Sequence, residues 1–413
     1  MDDDGYNQIA NAIVNSAQEG FMFQNGEALA KLFVFDPKMV SLISSKIHDV
    51  SDFEPYTVVI SDAIFEQFTS TYLRYVRDSP SQSPEESHKL ICRIAELFTA
   101  QLAISQGAWL LPVMRKLALA LCRSAQITYT HTQDPVAFGQ AASVLLRLLI
   151  DLLSDNSTPL ESSKRMGSLF VAGLLLRISL RTTAAPGAYA SKALEVKGLS
   201  NMPVFSLRDR VSYSYWLGRY YLTCYYVDAA RVQLEFAFNG CPAWHYHNKR
   251  SILRYLFVAN LIRGQIATVD LLDKYEMEPV YVQLCGYFKA GNLAAFQQTL
   301  IDHMDFFRGQ GNFMILMERT EILIYRNALR RLYLVNRGTE RGKTMPYRDA
   351  LVTFRLASQN PYMDEAEMEC ILSSLISQKF VLGFLFHHQK VINLSKKLPP
   401  FPRISSVGLA KGK

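Results

Sequence analysis

From its first residues to Val381 the chain repeats one pattern: helix-length apolar periodicity with no strand alternation between. In residues 58–75, Ile64, Phe65, Phe68, Tyr72 and Leu73 recur at the spacing of one helix face. Similar stretches span residues 6–35, 88–105, 109–125, 135–153 and 163–181, and again 248–263, 268–275, 279–289 and 292–308. Short polar connections, such as Asp155-Asn156-Ser157-Thr158-Pro159, join many of them. A helix with one apolar face cannot bury that face alone. Successive helices on short links must therefore pack antiparallel, pair on pair, as an α-solenoid. Leu217-Gly218-x-x-Tyr221, then Ala230, Leu234 and Pro242, partly matches a tetratricopeptide-type pair, in which Gly218 admits the second helix and Ala230 sits beneath it.

The pattern changes after Asn312. Residues 313–337 carry no Pro or Gly, and a turn-rich break follows at 338–346. Two shorter helices are expected at 347–358 (Ala350, Leu351, Phe354 and Ala357) and 364–379 (Met368, Ile371, Leu372, Leu375 and Ile376). A Val/Phe/Ile-rich hairpin comes last, 381–386 and 390–394 about His387-His388-Gln389. Helix, helix, helix, hairpin is the order of a winged helix. The third helix carries Asp364, Glu365, Glu367 and Glu369 against Lys379 alone, which makes it a poor reader of a nucleic-acid groove. It suits protein assembly better, with Ile371, Leu375, Phe384, Phe386 and Lys390 as the expected partner-facing residues. The predicted fold class is all-α: a TPR-like solenoid of helix pairs ending in a winged helix. The expected divisions are 1–204, 205–311, 312–400 and a tail 401–413, with the connection at 182–203 as the first boundary.

Length and composition are those of a globular chain: 413 residues, 49% hydrophobic and 20% charged. The acidic start, Met1-Asp2-Asp3-Asp4-Gly5, does not read as a secretory signal, and the apolar runs 141–153 and 169–176 are too short to span a bilayer. A soluble intracellular protein, with no membrane partner, is the expectation. Six cysteines without a C-x-x-C pair read as free thiols of a reducing compartment. Charge is uneven: residues 201–413 hold 27 Lys+Arg against 17 Asp+Glu, residues 1–200 hold 17 against 20. A basic C-terminal half fits nucleic acid or an acidic peptide; a solubilising surface is the plain alternative.

No catalytic constellation stands above background. Gly338 to Thr344 imitates a phosphate loop but is one residue short and follows a helix. Gly309-Gln310-Gly311 lacks the third glycine of a dinucleotide site. His245/His247 and His387-His388 have no Cys, Asp or Glu at ligand spacing. Neither enzyme, metal nor cofactor is expected.

One basic feature remains. Arg319, Arg326, Arg330 and Arg337 are spaced 7, 4 and 7 on the long helix, within a wedge of roughly 40° at about 100° per residue. Ile315, Ile322, Leu329 and Tyr333 form the neighbouring apolar face. Such a row can follow a phosphate backbone, with Lys343 and Arg348 as weaker additions. A solvated face partly paired with Glu318, Glu321 and Glu340 is the alternative.

A helical repeat running into a winged helix resembles the PCI-domain plan. Leu110-Leu111-Pro112-Val113-Met114, Lys164 through Phe170 and Arg210 through Arg219 are similar to the PCI domain-containing protein 2 family. So are Ala230 through Phe238, Glu276 through Leu293, Tyr325-Arg326-Asn327 and Leu398-Pro399-Pro400-Phe401-Pro402. The resemblance covers about 106–403. It implies a non-enzymatic subunit of the transcription-export complex 2, in the nucleus and at the nuclear pore, coupling transcription to mRNA export. It also implies three kinds of partner: a large PCI-containing scaffold subunit, a small acidic peptide shared with the proteasome lid, and RNA or DNA. The peptide would lie along the basic stretch 250–263 or on the winged helix. A paralogue linked to the signalosome and splicing carries nearly the same signature. A purely protein-binding PCI subunit, of that kind or of the proteasome lid, therefore stays open.

Overall fold

The structure is a computed structural model that describes residues 3–47, 53–182, 186–200, 202–339 and 344–407. The chain forms two compact units, residues 1–217 and 218–413.

In the first unit, helices Ala63–Asp78, Pro84–Ile104, Leu111–Thr132, Val136–Ser154, Ser168–Ser179 and Pro186–Val196 each pack on the next, as the solenoid reading requires. The N-terminal end is sealed by aromatics. Phe21 stacks on Phe65 at 4.3 Å between ring centroids, and Phe33 meets Phe68 and Tyr72 edge-on at 4.9 Å. Asp209, almost fully buried, takes a two-pronged grip from Arg115 (2.8 and 2.6 Å), whose guanidinium also lies over Phe170. The helix Val136–Ser154 is long and apolar enough to cross a membrane by length and composition. Its face of Ala141, Leu145, Leu149 and Leu152 is instead buried in helix packing.

Several helix starts differ from the sequence reading, the one read from 58 beginning at Ala63, and two of them are set by proline. The helix expected from residue 88 begins at Pro84, where Ser83 accepts from the Glu86 amide and Glu86 bonds back to the Ser83 N–H. The connection expected at 182–203 contains the helix Pro186–Val196. Both have proline at the first helical position, where no amide is needed.

His88 sits buried between neighbouring helices. Its Nδ1 is 2.8 Å from Ser124 Oγ and its Nε2 is 3.1 Å from the Ala137 carbonyl. Burial lowers its pKa from the ordinary 6.5, and the Ala137 hydrogen bond opposes this only in part. As pH falls through about 6.5 the unfolded chain takes up a proton that the folded chain refuses, so stability declines toward acid, by up to about 1.4 kcal/mol per pH unit. Urea melts between pH 7.5 and 5 should show a steeper loss for the wild type than for His88→Gln. Parallel curves would mean that His88 does not report this burial.

In the second unit the tetratricopeptide-type contact is present. A Cβ on Gly218 would lie 2.6 Å from Leu234 Cγ and 3.2 Å from the Ala230 carbonyl, and Ala230 is fully buried. Helices Val280–Ala290 and Leu293–Asp302 then pack on the long helix Phe313–Val335, called here the arginine helix. Tyr347–Ser358 and Glu365–Ser377 complete the helical part of the winged helix. Its sheet has three strands rather than the expected two: β1 (Thr344–Pro346), β2 (Gly383–Phe386) and β3 (Val391–Leu394), all antiparallel in the order β1-β3-β2. Thr344 faces Asn393, and Phe384 faces the same residue from the other side. β1 escaped the sequence reading because three residues ending in proline, inside a turn-rich break, carry no alternation.

Candidate nucleic-acid interface

The arginine helix ends at Val335, with Asn336 capping it and Gly338 at φ +95° turning the chain away. The wedge of arginines is correct as helix geometry, but its members meet different fates. Arg319 is half-buried, with its guanidinium 5.1 Å from the centroid of the Tyr225 ring. Arg326 is not at the surface: it is 6% exposed, and it donates to Asn327 Oδ1 (2.9 Å) and to the Pro402 carbonyl (2.5 Å). Burial pushes its pKa down to about 10, with Arg330 adding to the shift, and no carboxylate pairs with it among the described residues. Arg330 is exposed on the helix, and Arg337 is exposed in the turn beyond it. Arg348 is exposed on Tyr347–Ser358, and Lys343 lies outside the described residues.

What covers Arg326 is the segment read from sequence as a tail. Residues 400–407 form a strap across the second unit. The Pro400 carbonyl accepts from the Leu382 amide at 2.8 Å. Phe401 lies 5.4 Å from the Tyr333 ring and 5.8 Å from the Arg326 guanidinium. Arg263, 9% exposed, donates to the Ser405 and Val407 carbonyls (2.8 and 2.7 Å) and pairs with Asp228 at 3.0 Å. Ile404 packs against Gly264, where a Cβ would come within 2.7 Å of it. The strap is thus gripped mainly through its backbone carbonyls by two guanidinium groups. The sequence holds no short-range sign of this, because Arg263 and its acceptors are more than 140 residues apart.

Among the described residues, the exposed cations at the C-terminal end of the arginine helix are therefore Arg330, Arg331 and Arg337. Arg331 donates to the Ala290 carbonyl at 3.0 Å, which brings that turn beside exposed Lys289. Residues 326–337 contain no Asp or Glu. Arg331 and Lys289 are the additions that the wedge argument missed. Arg331 falls outside the wedge, and Lys289 is adjacent only through the fold.

The residues expected to face a partner divide likewise. Leu375 is fully buried in the winged-helix core with Met368 and Leu372, which corrects its assignment; Ile371 is half-buried. Phe384 is 75% exposed and Phe386 is exposed, both on β2, an edge strand. Lys390 is exposed and pairs with Glu365 at 2.6 Å. His387 Nδ1 lies 2.8 Å from Glu369, which also accepts from Tyr347 Oη at 2.9 Å. The His387 hydrogen bond is the main reason the Glu369 pKa is held below its usual value. The acids of the third helix thus hold the hairpin turn in place. The basic stretch 250–263 is engaged as well: Arg250 and Arg254 share Glu278, and Arg263 holds the strap. No cluster of His, Cys, Asp and Glu fit to hold a metal occurs among the described residues.

No protein-family profile matches the chain. Individual relatives do. A PCI domain-containing protein of Schizosaccharomyces pombe is 27% identical over 355 residues, 82% of this chain and 79% of the relative. PCI domain-containing protein 2 of Xenopus laevis is 26% identical over 410 residues, 96% and 98% of the two chains. Enhanced ethylene response protein 5 of Arabidopsis thaliana is 25% identical over 324 residues, 78% and 76%. Along almost its whole length, on helix pairs that run into a winged helix, this chain is similar to PCI domain-containing protein 2.

Proposed function

We propose that this protein is a non-enzymatic scaffold of transcription-coupled mRNA export, acting in the nucleus at the pore, that holds RNA or DNA phosphates at the C-terminal end of its arginine helix. The carrying observation is the cluster of exposed Arg330, Arg331 and Arg337 on a stretch without a carboxylate. Export, the nuclear setting and two protein partners, a large PCI-containing scaffold and a small acidic peptide, come from the family resemblance. The exposed Phe384 and Phe386 on an open strand edge offer the scaffold a place to pair.

Phosphate contacts carry no base information, so binding is sequence-tolerant and falls with salt. Three contacts correspond to a log–log salt slope of about −2 on single-stranded RNA and about −3 on duplex DNA. Fluorescence anisotropy over 50–200 mM salt, with the acidic partner present, should show micromolar binding. Arg330→Glu/Arg337→Glu should weaken it at least about tenfold and flatten the slope by about two contacts. Arg326→Met should leave it unchanged, because that guanidinium is already covered.

The second reading is a PCI subunit of a signalosome, splicing or proteasome-lid assembly that binds only protein. The occupied state of Arg319 and Arg326 favours it, since half of the sequence wedge is engaged within the fold. Equal, weak binding by the wild type and the double variant would decide for this reading.

A further inference from the structure

The first unit carries two open clefts of about 450 and 300 Å³ that meet at Gln24 and Trp109, both of which line each of them. They lie at the ends of Asp3–Met22 and Pro84–Ile104, and none of the residues discussed above as a nucleic-acid or partner contact lines them. We propose that these clefts together form a docking site for a partner peptide that presents an aliphatic or aromatic side chain beside a lysine or arginine.

Shape and apolarity come first. Met22, Phe23 and Ile104 line the clefts and are exposed, Phe23 by 81%. Three large apolar side chains around one aromatic floor is the composition of a protein-binding patch. The floor is fixed. Trp109 meets Phe21 edge-on at 5.6 Å, and Phe21 is stacked on buried Phe65. The turn at Gly26 is pressed so closely against the Trp109 carbonyl that a Cβ there would lie 1.6 Å from the oxygen. The site therefore needs little ordering to receive a ligand.

The charge of the partner follows from the lining. Its ionisable residues are Glu27 and Asp62, and no Lys, Arg or His lines either cleft. Asp62 Oδ1 caps Ala63–Asp78, where it accepts from the Ile64 and Phe65 amides at 3.0 and 2.9 Å. Its Oδ2 takes only a long bond, 3.4 Å, from Gln101 Nε2. Gln101 is 2% exposed, lines the smaller cleft, and its side-chain oxygen has no hydrogen-bond partner among the described residues. A buried acceptor without a donor costs about 1–3 kcal/mol. Two carboxylates with no cation among the described lining residues are what a guanidinium or ammonium group complements, while the Trp109 ring offers it a π face. An acidic peptide would meet two carboxylates and no cation.

A random dodecapeptide library displayed on phage and selected on the full chain tests this directly. The counter-selection uses Phe23→Ser/Glu27→Gln/Asp62→Asn. Asparagine in place of Asp62 keeps a capping side chain, and equal melting temperatures would show that the variant folds. Enriched sequences should place Arg or Lys beside Phe, Leu or Trp. Such a peptide, made without tryptophan, should shift the emission of Trp109 in a Trp216→Phe/Trp244→Phe background. It should bind Glu27→Gln/Asp62→Asn at least about tenfold more weakly. The proposal is overturned if the enriched peptides are acidic, if they bind wild type and variants alike, or if wild type enriches nothing beyond what the variant enriches.

Discussion

Alanine at Gly291 should unfold the second unit at temperatures where the wild type is stable. Gly291 ends Val280–Ala290 in the left-handed region, at φ +75°. A Cβ there would lie 2.5 Å from the Ala328 amide nitrogen and 2.7 Å from the Ala328 Cα. Backbone cannot turn aside as a side-chain tip can, so the arginine helix would have to move off its neighbour. Left-handed strain of about 1–2 kcal/mol and overpacking of about 1–3 kcal/mol add to a loss of roughly 2–5 kcal/mol. Gly286→Ala, on the same helix with nothing within 4 Å of the added carbon, is the control. It should be neutral or stabilising by up to about 1 kcal/mol, since alanine is the better helix former. Urea unfolding of both variants would settle the matter; a Gly291→Ala midpoint close to wild type would mean that the two helices approach less closely than described.

Arg263→Ala should release the strap and cost about 3–5 kcal/mol. One guanidinium serves the Ser405 and Val407 carbonyls and the Asp228 carboxylate, and hydrogen bonds to a charged donor are each worth about 1.5–3 kcal/mol. Its removal orphans two carbonyls. Limited trypsin digestion should then cut at Lys396, Lys397 and Arg403 well before wild type does, alongside a lowered urea midpoint. Retained protection at those sites would show that Phe401 and Ile404 hold the strap unaided. Arg326 differs in degree. It is a buried cation with no carboxylate beside it among the described residues, so in Arg326→Met the relief of a poorly solvated charge offsets part of what the orphaned Pro402 carbonyl costs, and the net loss should stay within about 1–3 kcal/mol.

Much of the fold is legible in the sequence because periodicity is local. Tyr347–Ser358 is found as read, and the arginine helix differs only at its last turn. The misreadings share causes. Pro84 and Pro186 fall in stretches that read as connections, although proline at a helix's first position marks a beginning; Ser83 with Glu86 three residues on is the cue at the first of them. Leu375 shows that an apolar stripe does not say which members meet the core and which a partner. The arginine wedge failed for another reason: spacing fixes direction around a helix and nothing about what lies over it. Only the fold brings Pro402 to Arg326, across 76 residues of chain.

The strap also sets an order of events during synthesis. Val407 is made 144 residues after Arg263, which binds its carbonyl. At the usual 5–20 residues per second that interval is roughly 7–30 s. The second unit must wait with Arg263 and Arg326 uncovered, a pair of hungry cations beside an incomplete core. During that wait the two guanidinium groups form a cationic surface that the finished protein no longer shows.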